Sequence, residues 1–198
     1  MNYFEVFDLP RKLGIDAADL QRRYHELSRR HHPDFHQAAP AEEQARVLEA
    51  SARVNAAYRA LRDPIARVEY LVRLEEGGPA TAGDAAARKP PAPPDLLAEM
   101  FEIQEALQDA RMGGLDDAAR ATLTEQRAAL AERYAEVEAR LTGELSAAWD
   151  AASADGRRKV LAALKEALAT RAYLRTVIDD LTEALGTAGE SHVAHHRH

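Results

Sequence analysis

The sequence predicts an all-α protein, laid out as two helical regions joined by a proline-rich linker. Three observations carry that expectation. Ala, Leu, Arg and Glu, all strong helix formers, dominate the composition. Apolar residues recur at spacings of three and four through most of the chain. Five of the nine prolines fall between positions 79 and 94, so the other stretches are left free of breakers.

The chain has 198 residues, enough for one large or two small cores, and its 46% hydrophobic and 30% charged content is that of a globular protein. It contains no cysteine, which excludes disulfides, thiolate metal sites and thiol nucleophiles. No apolar run is long enough to span a bilayer, and no membrane association is expected. The N-terminus lacks the basic and apolar regions of a secretory signal, and a cytoplasmic location is the expectation. The net charge of −7 is unevenly spread: residues 1–76 carry twelve basic and thirteen acidic side chains, residues 77–198 fourteen and twenty. That balance argues against nucleic acid as a partner, which needs a net basic surface.

The elements follow in order. Tyr3, Phe4, Phe7 and Leu9 are spaced like one apolar helical turn, stopped by Pro10. Asp16 reads as an N-cap for a helix from Ala17 to about His31, with Leu20, Tyr24, Leu27 and His31 as its inner stripe. Arg22, Arg23, Arg29 and Arg30 lie on the other face, with Glu26 the one acid among them. Pro33 lacks an N–H and disfavours helical backbone at His32, so the helix ends there and a loop runs to about Pro40. A second long helix spans Ala41 to about Arg62, with Val47, Ser51, Val54, Tyr58 and Leu61 inward. Pro64 suits the first position of a further helix, to about Glu76.

Residues 77–94 then read as a semi-stiff linker, and 95–185 as three helices in an antiparallel bundle. The first runs from Asp95 to Arg111. The second runs from Asp116 into the 140s, where Gly143 is positioned to cut or kink it and Trp149 to lie on a continuation. A turn over Ser153–Gly156 precedes the third, from Arg157 to Leu185, with Leu161, Leu164, Leu168, Leu174, Ile178, Leu181 and Leu185 as its stripe. Residues 186–198 form a histidine-rich, disordered tail.

The most informative stretch is Tyr24 to Phe35, a basic helix broken at His32-Pro33-Asp34. Polar residues held on a loop between helices are more often for recognition than for packing. The order of aromatic start, basic helix, His-Pro-Asp loop and second helix resembles the J-domain of Hsp70 co-chaperones. Asn2–Pro10, Ser51–Pro64 and Arg67–Leu71 extend the resemblance to the HscB family, co-chaperones of iron–sulfur cluster assembly with an N-terminal J-domain (here 1–76) and a C-terminal three-helix bundle.

The resemblance implies a function without chemistry on this chain: no enzyme activity, no cofactor and no metal. It implies an HscA-like Hsp70 partner, docked by His32, Pro33 and Asp34 and steered by Arg22, Arg23, Arg29 and Arg30. Asp34 would take a charge-assisted bond from an arginine of the partner. The competing reading of the arginines is a solvated face, with Glu26 pairing at i, i+4. Where many J-domains have Lys after His-Pro-Asp, this chain has Phe35.

The resemblance also implies an iron–sulfur scaffold protein, IscU-like, bound by the bundle through Leu97, Phe101, Glu102, Glu105 and Asp109, with Tyr173 as the aromatic on the last helix. Leu97 and Phe101 as plain core residues are the alternative, and Ala98 stands where a larger apolar residue is expected. His192, His195, His196 and His198 have no fixed framework and are assigned no metal. The expected function is therefore stimulation of a dedicated Hsp70 and delivery of the scaffold to it. The rivals are a J-protein with another client and a purely structural helical adaptor.

Overall fold

The computed structural model describes residues 1–78, 101–108 and 116–194, with side chains through Gly186. Most of the 77–94 linker, Leu97 and Asp109 of the expected scaffold face, Met100, and His195, His196 and His198 of the tail lie outside the described residues. Every described element is a helix or a turn. The chain divides into two compact units: residues 1–87 with 141–164, and residues 88–140 with 165–198.

In the first unit, α1 (Tyr3–Val6) is closed by a capping box between Asn2 and Glu5. Its aromatics Tyr3, Phe4 and Phe7 are at most 2% exposed and fill the centre of the unit. α2 (Ala17–Arg30) starts on Asp16, whose carboxylate accepts the Ala18 and Asp19 amides. α3 (Ala41–Arg62) is the axis of the unit, with α1, α2 and α4 (Pro64–Glu75) all packed on it. Pro64 occupies the first turn of α4, as the sequence predicts, and Asp63 caps it.

The core joins Leu20 of α2, Val54, Ala57 and Leu61 of α3, and Val68, Tyr70 and Leu71 of α4 to the α1 aromatics. Tyr70 stacks on Tyr3 at 4.6 Å, and its hydroxyl accepts the Tyr3 amide at 2.8 Å. Burial of that ring raises the phenol pKa. Tyr24 stacks on Tyr58 at 4.0 Å, and its hydroxyl donates to Asn55 at 2.9 Å. The α2–α3 hairpin is thus tied by an aromatic pair half-way along its length.

The first unit also contains residues that the sequence assigns to the bundle. A π-helical turn, Leu141–Leu145, leads into α7 (Ser146–Ala151). Ser146 donates to the Leu141 carbonyl at 2.6 Å, satisfying an acceptor in the widened turn. Gly143 does lie in this irregular turn and Trp149 on the continuation, as expected. Trp149 is 1% exposed, and its indole N–H points at the Arg11 carbonyl, 3.4 Å away.

Asp150 accepts the Leu13 and Gly14 amides, each at 2.7 Å. Gly14 is needed for this approach, because a Cβ there would sit 2.9 Å from the Asp150 carboxylate. Arg67, 6% exposed, donates to the Leu13 carbonyl at 2.7 Å, and burial lowers its pKa. Residues 141–164 group with the N-terminal residues because Trp149 and Asp150 find their partners at 11–14.

In the second unit, α5 (101–108), α6 (Asp117–Arg140) and the later part of α8 (Ala154–Ala194) enclose one core. Ile103, Leu107, Leu123, Leu130, Leu174, Val177 and Leu181 form it. Arg120 reaches the Leu185 carbonyl while Arg171 reaches Glu138, so α6 and α8 run antiparallel. Arg171 also lies 5.3 Å over the Tyr134 ring.

α8 departs from expectation at both ends. It starts at Ala154, because the Ser153 carbonyl takes the Arg157 amide and Asp155 suits the positive end of the helix dipole. It also runs through the start of the expected tail, past Gly186 to Ala194. Extending an existing helix needs no new nucleus, and no proline stops it.

Candidate functional site

The break between α2 and α3 is built by its own three residues. After the C-cap His31, the chain makes a short 3-10 turn, Pro33–His36. His32 is its N-cap: Nδ1 accepts the Asp34 amide at 3.3 Å. Pro33 takes the first position, where its missing N–H costs nothing. The Asp34 carboxylate lies 3.6 Å from the same Nδ1. Asp34 is 71% exposed, so its carboxylate is open to a donor from outside.

Phe35 stands beside it, 72% exposed, its ring touching the His32 ring edge-on at 5.8 Å. His36 folds back, placing Nε2 3.2 Å from the Arg30 carbonyl. His31 is partly buried at the helix end. Burial, with Arg30 and His36 nearby, lowers its pKa.

The four arginines expected on one docking face separate into two pairs. Arg22 bonds Asp19 and Glu26. Arg23 bonds Asp19 at 2.8 Å and the Phe7 carbonyl at 2.8 Å, bracing the bend at Asp8, which has a left-handed φ of 51°. These bonds lower the Asp19 pKa. Arg29 and Arg30 sit exposed in the last turn of α2, directly before the His32–Asp34 corner. Arg22 and Arg23 thus have bonds within the fold, and Arg29 and Arg30 are exposed.

On the second unit, α5 turns Ile103 and Leu107 into the core, at 0% and 4% exposure. Phe101 lies on the other side at 81% exposure, next to exposed Glu102 and Glu105. Of the two readings for Phe101, the core one is excluded. Tyr173 is half-buried and packs against the same cluster that holds Ile103 and Leu107. The described part of the expected scaffold face therefore carries one exposed aromatic ring and two carboxylates.

Comparison with known proteins agrees with this arrangement. Residues 2–70 match the DnaJ domain family, and residues 92–181 the HSCB C-terminal oligomerisation domain. The "Co-chaperone protein HscB homolog" of Azoarcus sp. (strain BH72) is 32% identical over 185 residues, covering 93% of this chain and 95% of that protein. The chain belongs to the HscB co-chaperone family. The HscB homolog of Vibrio vulnificus (strain YJ016) is 31% identical over 81% of this chain and 89% of its own length. Chaperone HscB from Vibrio cholerae aligns over 98% of this chain and 99% of its own, with a TM-score of 0.48 and 22% identity.

Seen as an HscB-family protein, the chain is an all-α J-domain co-chaperone with an HscB-type C-terminal region. Among the described residues, no helix is long and apolar enough to cross a membrane. Sequence reasoning missed two parts of the surroundings of the turn. One is Gln44, which donates to the Gln37 and Ala39 carbonyls and so holds the loop to α3. The other is Leu48, 62% exposed on the same helix. Both lie at i, i+4 on the side of α3 that faces the loop, and the loop's return could have pointed to them.

Proposed function

We propose that this protein docks on a dedicated HscA-like Hsp70 through the His32–Asp34 turn, stimulates its ATPase, and delivers an IscU-like iron–sulfur scaffold bound to the second unit. The observation that carries the reading is the state of Asp34: a carboxylate presented by a self-capped, proline-fixed turn, and exposed at 71%. A buried carboxylate there would serve the fold. An exposed one beside Arg29 and Arg30 serves a partner with both a donor and an acidic patch. His32 and Pro33 set the shape of the turn, and Asp34 makes the contact.

The scaffold would bind on Phe101, Glu102 and Glu105, with Leu97, Asp109 and Tyr173 completing the face. A large apolar ring at the centre with acids at its rim is a common interface pattern. The scaffold's cluster is cargo, and the proposed role asks no bond-making of this chain. The setting is the cytoplasm.

The test is a steady-state ATPase assay of an HscA-type Hsp70 with this protein, an IscU-type scaffold, or both. Synergy between the two is the expected result. Stimulation by the co-chaperone with no added effect of the scaffold would assign a different client. No stimulation at any concentration would refute docking.

A further inference from the structure

Trp149 brings together cations that lie far apart in sequence. Its indole N–H points at the Arg11 carbonyl, 3.4 Å away, and the Arg157 guanidinium lies 5.2 Å from the centre of its ring. Lys12 follows Arg11, and Arg158 and Lys159 follow Arg157 on α8. All five cations are exposed, and all belong to the first unit. The loop that carries Arg11 and Lys12 is held by Trp149, by the Asp150 carboxylate on the Leu13 and Gly14 amides, and by Arg67 on the Leu13 carbonyl. The acids nearby leave most of this charge unmatched. Asp150 is committed to the two amides. Arg11 lies 3.9 Å from Glu5 and 3.7 Å from Glu75, both longer than a hydrogen bond. Among the described residues, Lys12, Arg158, Lys159 and the exposed Asp155 take part in no ion pair. The whole chain carries 33 acids against 26 bases, so these cations go unpaired amid an excess of carboxylates.

We infer that this cluster docks an acidic segment of a partner protein. None of its five residues belongs to the His32–Asp34 turn or to the scaffold face. Charge complementarity selects the occupant: an apolar or basic segment gains nothing from a surface of unpaired cations. A guanidinium held against an indole is already placed for a carboxylate and loses little freedom on pairing. The size of the cluster separates a short run of Asp and Glu from a nucleic acid. A long polyanion needs many phosphate contacts, and the rest of a chain of net charge −7 repels it. Trp149 and Asp150 serve the surface through the fold, by setting the loop and Arg157 beside each other.

The experiment follows the fluorescence anisotropy of a labelled oligoglutamate peptide titrated with the full chain. The chain is used as wild type, Arg158→Glu, Lys12→Glu and Arg59→Glu, the last an exposed cation on α3 that carries the same change of charge outside the cluster. All three positions are exposed, so the variants keep the wild-type helical circular dichroism. Wild type is expected to bind the peptide, more weakly as salt is raised. Arg158→Glu and Lys12→Glu each raise the dissociation constant about fivefold, and Arg59→Glu less than about twofold. No binding by wild type, or unchanged binding by either cluster variant, overturns the proposal. Equal weakening by Arg59→Glu shows attraction by net charge alone and overturns it as well. A labelled single-stranded oligonucleotide bound as tightly as the peptide assigns the cluster to nucleic acid and overturns it. So does a self-associated species that sediments in wild type and is lost in Arg158→Glu, which assigns the cluster to a second copy of this chain.

Discussion

Two aspartates of the first unit have opposite fates. Asp150 sits in α7 with its carboxylate on the Leu13 and Gly14 amides, beside a buried tryptophan. Asp34 sits on a turn whose amide is taken by His32, and its carboxylate meets no amide at all. The same side chain is structural in one place and available in the other. What separates them is local supply: the 11–14 loop offers unpaired N–H groups, while the His32 cap has already used the one nearest Asp34. A polar residue whose bonds are closed inside the fold is tested by stability. One whose bonds are left open is tested by binding.

That contrast is broken most easily at the closed site. Trp149→Ala removes a fully buried indole and is expected to cost about 3–5 kcal/mol, read as a lower denaturant midpoint for the first unit. A loss below about 1 kcal/mol would mean that residues 141–164 rest only loosely on it. Asp150→Asn keeps one acceptor but turns a donor toward an amide, and should cost about 1–3 kcal/mol in the same measurement.

The open sites respond the other way. Phe101→Ala should change stability by no more than about 0.5 kcal/mol, because the side chain is 81% exposed. It should weaken scaffold affinity about tenfold by calorimetry, the loss of roughly 1.4 kcal/mol of apolar contact. Intact affinity would move the face elsewhere.

The smallest expected effect is a pH slope from His31. Burial holds its folded pKa below the ordinary 6.5. The unfolded chain therefore takes up a proton first as pH falls. Its contribution is fully present above 6.5 and declines as pH drops through that value toward the lower folded pKa. His31→Gln should flatten the stability curve slightly in that window, and an unchanged curve would show the imidazole to be solvated when folded.

Much of the fold was legible because its signals are local. Asp16, the Asp63-Pro64 pair and the three-to-four spacing of Leu20, Val54 and Leu61 act within a turn or two of themselves. The α3 bounds, Ala41–Arg62, agree with the sequence reading for that reason. The grouping of 141–164 was not legible. Trp149 fits an amphipathic stripe whichever core receives it, and its partner Arg11 lies 138 residues away in sequence. Val177 escaped the α8 stripe because a 3.6-residue period drifts past a fixed spacing, and it packs between Leu174 and Leu181. At the candidate site, the His-Pro-Asp turn declared itself through proline. The split of the arginines did not, since it depends on which of them Asp19 captures.

The central claim is that Asp34 is spared by the fold for a partner. The direct test pairs a thermal melt of Asp34→Asn with its stimulation of an HscA-type Hsp70 ATPase. The account predicts a melting temperature equal to wild type and stimulation reduced to the basal rate. Full stimulation, or a melt shifted as far as that of Asp150→Asn, would contradict it.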